Sequence, residues 1–212
     1  MSAAPQVKIC GITNLADAQA AIAAGADALG FNFFPGSKRY LDRAVAAGWL
    51  QEVPATVRRV AVVVNPTMEQ ALAIAALPFI DGLQLHGSET PAFCAGLAAA
   101  GIRFSKALAV RDSGAVEEPA GFATRTIVLD AQNVSGFGGT GRSFRWPIAR
   151  ALIARHRSLR FVLAGGLSPE NVTEAIALVR PYGVDVTTGV ELSAGRKDAG
   201  KLRRFVAAAK AA

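Results

Sequence analysis

The chain has 212 residues, 51% of them hydrophobic, two cysteines and a formal net charge of +7 at pH 7. This length supports a full core, whereas two cysteines cannot form a disulfide framework. The basic residues are scattered without interleaved aromatic residues, so we expect no nucleic-acid partner. No apolar run approaches the roughly 20 residues that span a bilayer, and no signal-like segment precedes the first predicted strand. We therefore expect a cytoplasmic protein without membrane contact.

Short strands alternate with Ala-rich helical segments along the chain. Helical periodicity is clear in segments such as NLADAQAAIAAG (14–25), and Gly25 and Gly101 suit left-handed helix ends. The segment 112–123 is the weak helix candidate, because it is short and contains Pro119. The predicted strands are VKIC (7–10), ALGFNF (28–33), RVAVVV (59–64), GLQLH (82–86), RFSKAL (103–108), TIVLD (126–130), RFVLAG (160–165) and VDVTT (184–188).

Eight strand–helix units predict a single-domain (β/α)8 TIM barrel, an α/β fold with a parallel eight-stranded barrel spanning residues 1–212. An open doubly wound sheet is the alternative. It is disfavoured because no G-x-G-x-x-G motif follows the first strand.

The alternation of side chains places polar residues at the ends of three strands. In a barrel, successive residues of a strand face the interior and the helix layer in turn. This predicts that Cys10, His86 and Asp130 lie at the carboxyl-end mouth, where barrel enzymes carry their chemistry. Cys10 and Asp130 form a candidate acid–base pair. His86 is a candidate base, substrate donor or structural residue, and no spacing suggests two further ligands for a metal.

Lys8 is expected to share the inward face with Cys10. It can lower the pKa of the thiol, or it can pair with Asp185 on the neighbouring eighth strand. We favour the ion pair with Asp185.

Glycine-rich loops after the seventh and eighth strands suggest a phosphate site. In AGGLSPEN (164–171) two glycines permit close backbone approach, with Ser168 as the expected N-cap and Pro169 as the first helical residue. TTGVE (187–191) follows the next strand, and these two loops are where this architecture often holds phosphate. A further loop, GFGGTG (136–141), is a weaker anion-contacting candidate.

The loop FPGSKRY (34–40) is expected at the same mouth. Its Arg39 offers a planar fork suited to a carboxylate. A basic loop exposed for solubility is the alternative.

Several motifs together resemble the phosphoribosylanthranilate isomerase family of tryptophan biosynthesis. They follow the same order over nearly the whole chain and touch most strand ends. The matching segments are KICGIT (8–13), GFNFFPGSKRY (30–40), LQLHG (83–87), LD (129–130), GGTG (138–141), LAGGLSPENV (163–172), GVDVTTGVE (183–191) and GRKD (195–198).

This resemblance implies a (β/α)8 barrel that catalyses an Amadori rearrangement without cofactor or metal. The substrate is N-(5-phosphoribosyl)anthranilate and the product is 1-(2-carboxyphenylamino)-1-deoxyribulose 5-phosphate. Carried over by position, Cys10 is the general base and Asp130 the general acid. Arg39 contacts the anthranilate carboxylate and His86 lies near the substrate. The residues implied at the phosphate are Gly165, Gly166, Thr188 and Gly189.

Departures from the family pattern are small. Lys38 stands where proline is frequent, and Thr187 and Thr188 replace two serines with their hydroxyls retained. No role is evident for Asn32.

Two other functions stay open from the sequence. One is another sugar-phosphate barrel enzyme of the tryptophan or histidine pathway, against which a cysteine ending the first strand argues. The other is a non-catalytic barrel that binds a phosphate ligand and could dispense with both the acid and the thiol. In each case the partner is a small phosphorylated molecule, and the chain is a monomer or a homodimer.

Overall fold

Eight parallel strands close into a barrel in chain order, as the sequence predicts. The structure, a computed structural model, describes residues 4–110, 116–131 and 146–212. β1 pairs with both β2 and β8, which closes the ring. The barrel strands are β1 (Gln6–Cys10), β2 (Ala28–Asn32), β3 (Arg58–Val63), β4 (Gly82–Leu85), β5 (Phe104–Val110), β6 (Thr126–Ala131), β7 (Arg160–Leu163) and β8 (Gly183–Val186).

Within the described ranges, an α-helix follows every barrel strand except β5. After β5 the described chain forms the 3-10 helix Pro119–Phe122. This helix lies in the segment that the sequence marks as a weak helix candidate. The α-helices are α1 (Leu15–Ala23), α2 (Arg43–Ala47), α3 (Met68–Ala75), α4 (Pro91–Ala99), α5 (Trp146–Arg155), α6 (Val172–Val179) and α7 (Ala199–Lys210).

Helix ends follow the local signals in the sequence. Thr67 and Gln70 form a reciprocal capping box at the start of α3, and Thr90 caps α4 just before a proline at its first position. Gly25 and Gly101 follow helices with positive φ angles of 94° and 72°, which confirms the predicted left-handed ends.

A small antiparallel hairpin after β8 is absent from the sequence prediction. β9 (Glu191–Ser193) pairs with β10 (Arg196–Lys197), and α7 follows directly. These strands have only three and two residues, too few to show a periodic pattern. The hairpin brings Glu191 and Lys197 to the end of β1.

The main core lies between the strands and the helix layer, and the barrel interior is partly polar. Outward residues such as Ile9 and Leu85 are fully buried in the main core. Inside the barrel, Ala107, Val128 and Ala164 form a small apolar cluster. A cavity of about 690 Å³ opens at the amino-terminal end of the barrel and extends up to Lys8 and Gln84, among other residues.

In the described part of the chain, no helix combines the length and apolarity needed to cross a membrane.

Candidate active site

Cys10, His86 and Asp130 lie at the carboxyl ends of barrel strands, as their alternation predicts. Cys10 ends β1, His86 directly follows β4, and Asp130 is the penultimate residue of β6. The side chains of His86 and Asp130 are 18% and 14% exposed, and Cys10 is 9% exposed. The three residues therefore combine burial with an opening to the mouth.

Two glycines make room for Cys10 and its neighbours. A Cβ on Gly30 of β2 would lie 2.7 Å from the Cys10 sulfur and 3.1 Å from the Lys8 ammonium nitrogen. Gly11 has a φ of +74°, and a Cβ there would lie 2.7 Å from Cδ of Arg39. The glycine after the cysteine thus lets the chain turn in a conformation disfavoured for other residues while the Arg39 side chain packs over it.

Burial keeps the Cys10 thiol protonated. Desolvation raises its pKa and Asp185 adds to that effect, whereas the positive charges of Lys8 and Lys197 oppose it. Because burial prevails, thiolate formation requires a further positive charge or a rise in pH.

Lys8 joins Asp185 by a buried ion pair, which confirms the favoured interpretation. Lys8 Nζ lies 2.6 Å from Asp185 Oδ2 and donates a second hydrogen bond of 2.9 Å to Gln84 Oε1. Burial lowers the pKa of Lys8, but Asp185 and Cys10 outweigh it and raise the pKa to about 12. Lys8 is therefore a permanent cation beneath Cys10. The same ammonium pairs with Asp185 and acts to lower the pKa of the thiol.

His86 links this interior pair to Asp130. Its Nδ1 lies 3.0 Å from Gln84 Nε2, and its Nε2 lies 3.2 Å from Asp130 Oδ2. A row of polar contacts therefore runs from Asp185 through Lys8, Gln84 and His86 to Asp130.

The loop behind His86 is held by a second buried ion pair. Lys106, 1% exposed, donates to Gly87 O at 2.6 Å and to Glu89 Oε2 at 2.8 Å. Glu89 also accepts hydrogen bonds from the backbone N–H groups of Gly87 and Asn65. These contacts fix the backbone directly after His86.

Arg39 lies at the same mouth and forms a bidentate ion pair with Glu191. Its Nε and Nη2 donate to the two carboxylate oxygens at 2.9 and 2.6 Å. Burial acts to raise the pKa of Glu191, but Arg39 and Lys197 outweigh it and lower the pKa. Glu191 is therefore an anion that fixes the Arg39 fork.

Lys197 ties the hairpin to the end of β1. Its fully buried ammonium donates to Cys10 O at 2.6 Å, Thr187 O at 3.2 Å and Glu191 Oε1 at 3.0 Å. Burial lowers its pKa, with the Glu191 carboxylate opposing. All three ammonium hydrogens are thus engaged, and one of them holds the backbone carbonyl of Cys10.

Asn32, to which the sequence assigns no role, organises the loop that carries Arg39. Its Oδ1 accepts from Phe34 N–H and its Nδ2 donates to Ser37 Oγ, both at 3.0 Å. Ser37 Oγ in turn accepts from Arg39 N–H at 3.1 Å. The polar residue at the end of β2 therefore holds this loop together through its amide group.

The loops after β7 and β8 approach each other closely. Gly165 and Gly166 have φ angles of +80° and +67°, and a Cβ on Gly189 would lie 2.0 Å from Leu167 O. Thr188 begins the short 3-10 helix Thr188–Val190. The candidate phosphate residues therefore share one rim of the mouth, whereas the loop 136–141 lies outside the described residues.

The predicted start of the sixth α-helix is wrong by three residues. Ser168 and Pro169 lie in a turn, and α6 begins at Val172 after Asn171. Asn171 accepts from Ser168 N–H at 2.8 Å and donates to Gly166 O at 2.9 Å, which ties down the turn in place of a helix cap.

Sequence reasoning missed the buried partners of the predicted site residues. Glu191 and Lys197 lie within family-like segments, but only their contacts reveal what they hold. Among the residues that the structure describes, no group of three His, Cys, Asp or Glu side chains could hold a metal ion. The missed residues are Asn32, Gln84, Glu89, Lys106, Glu191 and Lys197.

Comparisons with known proteins identify the family of this chain. The family model described as "N-(5'phosphoribosyl)anthranilate (PRA) isomerase" matches residues 7–208. An N-(5'-phosphoribosyl)anthranilate isomerase of Pelobacter propionicus is 44% identical over 97% of this chain and 95% of its own.

Solved structures give the same result. A phosphoribosyl anthranilate isomerase in complex with reduced 1-(o-carboxyphenylamino)-1-deoxyribulose 5-phosphate has a TM-score of 0.80 and 36% identity, over 98% of this chain and 100% of that one. A structure of monomers generated from the dimeric phosphoribosylanthranilate isomerase of Thermotoga maritima has a TM-score of 0.80 and 38% identity, over 98% of this chain and 100% of that one. The chain therefore belongs to the N-(5'-phosphoribosyl)anthranilate isomerase family and is an isomerase of tryptophan biosynthesis.

Proposed function

We propose that Cys10 and Asp130 are the general base and general acid of the Amadori rearrangement in this chain. The main support is the position of a thiol and a carboxyl group at the mouth-side ends of β1 and β6, beside a rim of glycine-rich loops. Each such proton transfer contributes about 10²- to 10⁴-fold in rate.

The acid step opens the ribose ring. The carboxyl group of Asp130 gives its proton to the ring oxygen, the bond from C1 to that oxygen breaks, and the nitrogen lone pair forms an iminium at C1. The carboxylate that remains on Asp130 accepts a hydrogen bond from His86 across the 3.2 Å contact.

The base step removes the proton from C2. The Cys10 thiol first releases its proton to solvent, and the thiolate then takes the C2 proton. The C–H electron pair becomes the C1=C2 bond, the C=N electron pair returns to nitrogen, and the iminium becomes a neutral enolamine. Tautomerisation of the enolamine gives the 2-keto product. Since burial raises the pKa of the thiol, the iminium charge beside Cys10 and the Lys8 ammonium below it favour the thiolate when it is needed.

Both ends of the substrate require an anchor. We propose that Arg39 holds the anthranilate carboxylate through Nη1, since Glu191 already occupies its Nε and Nη2. The phosphate would bind backbone and hydroxyl groups of Gly165, Gly166, Thr188 and Gly189. Anchoring both ends converts the reaction into proton transfers within one fixed geometry.

We propose further that residues 1–212 form one domain that acts in the cytoplasm on this small phosphorylated molecule, as a monomer or a homodimer. The dimeric Thermotoga relative supports the homodimer. Light scattering on the purified chain distinguishes the two states.

The deciding experiment is a fluorescence assay with substrate generated in situ from anthranilate. We expect turnover by the wild type and a loss of about 10²-fold or more in kcat for Cys10→Ser and Asp130→Asn. Cys94→Ser is the matched control, because Cys94 is also a buried free cysteine but lies in α4.

Asp130→Asn should still bind reduced 1-(o-carboxyphenylamino)-1-deoxyribulose 5-phosphate in calorimetry. A fully active Asp130→Asn enzyme would refute the acid assignment. Tight binding of that compound by a folded wild type without turnover would instead favour a binding protein.

A further inference from the structure

A continuous row of polar contacts, three hydrogen bonds and one His86–Asp130 contact, crosses the barrel beneath the mouth. It runs from Asp185 Oδ2 to Lys8 Nζ at 2.6 Å, and from Lys8 Nζ to Gln84 Oε1 at 2.9 Å. It continues from Gln84 Nε2 to His86 Nδ1 at 3.0 Å, and from His86 Nε2 to Asp130 Oδ2 at 3.2 Å.

The chemistry of these groups fixes the direction of every bond. An ammonium can only donate, so the atom of Gln84 that faces Lys8 must be its oxygen. The other end of the Gln84 amide is then an NH2 group, which can only donate to His86 Nδ1. A nitrogen that accepts carries no hydrogen, so the single hydrogen of the neutral imidazole lies on Nε2 and faces Asp130.

Burial prevents the row from rearranging. Gln84 is 1% exposed and Lys8 is 9% exposed, so exchange of either partner for bulk water is disfavoured. A flipped Gln84 amide would set an NH2 group against the ammonium and an oxygen against Nδ1. The Asp185 ion pair in turn holds Lys8 in place.

We propose that Gln84 is a positioning residue for catalysis: held by Lys8, it fixes His86 in the Nε2–H tautomer that donates to Asp130. The inference rests on the acid role proposed above for Asp130. As the proton leaves Asp130, negative charge develops on the carboxylate and the His86 N–H bond strengthens, which stabilises the transition state. The other tautomer would turn a lone pair toward that charge.

The tautomer can be measured directly in the wild-type protein. The chain contains two histidines, so a long-range ¹H–¹⁵N correlation spectrum of histidine-labelled protein shows two rings. His156→Gln assigns them, because His156 lies after α5 beside Glu118 and takes no part in the site. We expect Nε2 of His86 to carry the hydrogen and Nδ1 to carry none at neutral pH. A hydrogen on Nδ1, alone or together with one on Nε2, would overturn the proposal.

Two substitutions test the effect on catalysis. Gln84→Glu still accepts a hydrogen bond from Lys8 but offers no hydrogen to Nδ1. Gln84→Met neither accepts from Lys8 nor donates to Nδ1. For both we expect kcat to fall by about 10- to 100-fold, as is typical for an outer partner of a reacting group, with KM unchanged. In Gln84→Glu the ¹⁵N spectrum should show a hydrogen on Nδ1.

A double-mutant cycle separates positioning from general damage. In a His86→Gln background no tautomer is left to set, so Gln84→Glu should cost little further kcat. An equal loss in both backgrounds, or no loss in the wild-type background, would refute the proposal. Circular dichroism checks that the variants fold, and the wild-type spectrum decides the tautomer even if they do not. If Asp130→Asn is active while the Nε2–H tautomer is found, the acid assignment fails rather than the hydrogen-bond geometry.

Discussion

Cys10 is a buried thiol whose reactivity depends on surrounding charge. Desolvation raises its pKa, so in the free protein it holds less thiolate at any given pH than an exposed cysteine does. The nearby cations limit this effect without cancelling it.

The pH dependence of Cys10 alkylation tests this balance. In the Cys94→Ser background, the rate with iodoacetamide should rise about tenfold per pH unit up to about pH 9, because only the thiolate reacts and its fraction grows with pH below the pKa. Free cysteine should react faster at each pH. A plateau near neutral pH would show instead that the cations win and the pKa is lowered.

Arg39 is held in a fixed orientation by Glu191. Arg39→Lys keeps the charge but loses the planar fork, so we expect KM to rise about tenfold with a smaller change in kcat. Lys38→Ala is the control, since this neighbouring cation is exposed. Steady-state kinetics on both variants make the comparison, and an equal rise in KM would assign the effect to loop charge alone.

At the scale of elements, the site depends on close approaches between loops and strands. The loops after β7 and β8 meet at Gly189, where a side chain would collide with backbone that has no simple way to move. Gly30 of β2 likewise leaves space for the inward side chains of β1.

Gly189→Ala should separate these two loops. Its Cβ would lie 2.0 Å from Leu167 O, so we expect KM for the phosphorylated substrate to rise more than kcat falls. Gly48→Ala is the matched control, because Gly48 has a φ of −69° and its added Cβ would lie 3.4 Å from Val45 O. Kinetics and thermal unfolding of both variants provide the test, and an unchanged KM in Gly189→Ala would remove the loops from the phosphate site.

The polar row inside the barrel makes the whole molecule sensitive to single substitutions there. Asp185→Asn leaves the buried Lys8 ammonium without its counterion, which typically costs about 3–5 kcal/mol in the free energy of unfolding. Replacing both residues, as in Lys8→Met with Asp185→Leu, should cost less than that single change. Urea unfolding measures each, and additive losses would show that the pair is not coupled.

One cooperative transition is expected in those experiments, because the barrel closes only when β1 meets β8. Separate transitions for two parts of the chain would contradict the single-domain assignment.

The eight barrel strands, their inward and outward faces, and the end of the barrel where Cys10, His86 and Asp130 lie could all be predicted from the sequence. These features depend on local periodicity, which a barrel converts directly into position. Composition also indicated the poor helix near Pro119, because the restriction that proline imposes is local.

The contacts that hold the site residues could not be predicted in this way, because they join residues far apart in the chain. Glu191 meets Arg39 across 152 positions, and Lys197 meets the backbone of Cys10 across 187. Gln84 obtains its orientation from Lys8, 76 positions away. No pattern of local spacing encodes such contacts, since they arise when barrel closure brings distant strand ends together and burial favours a partner for each polar group.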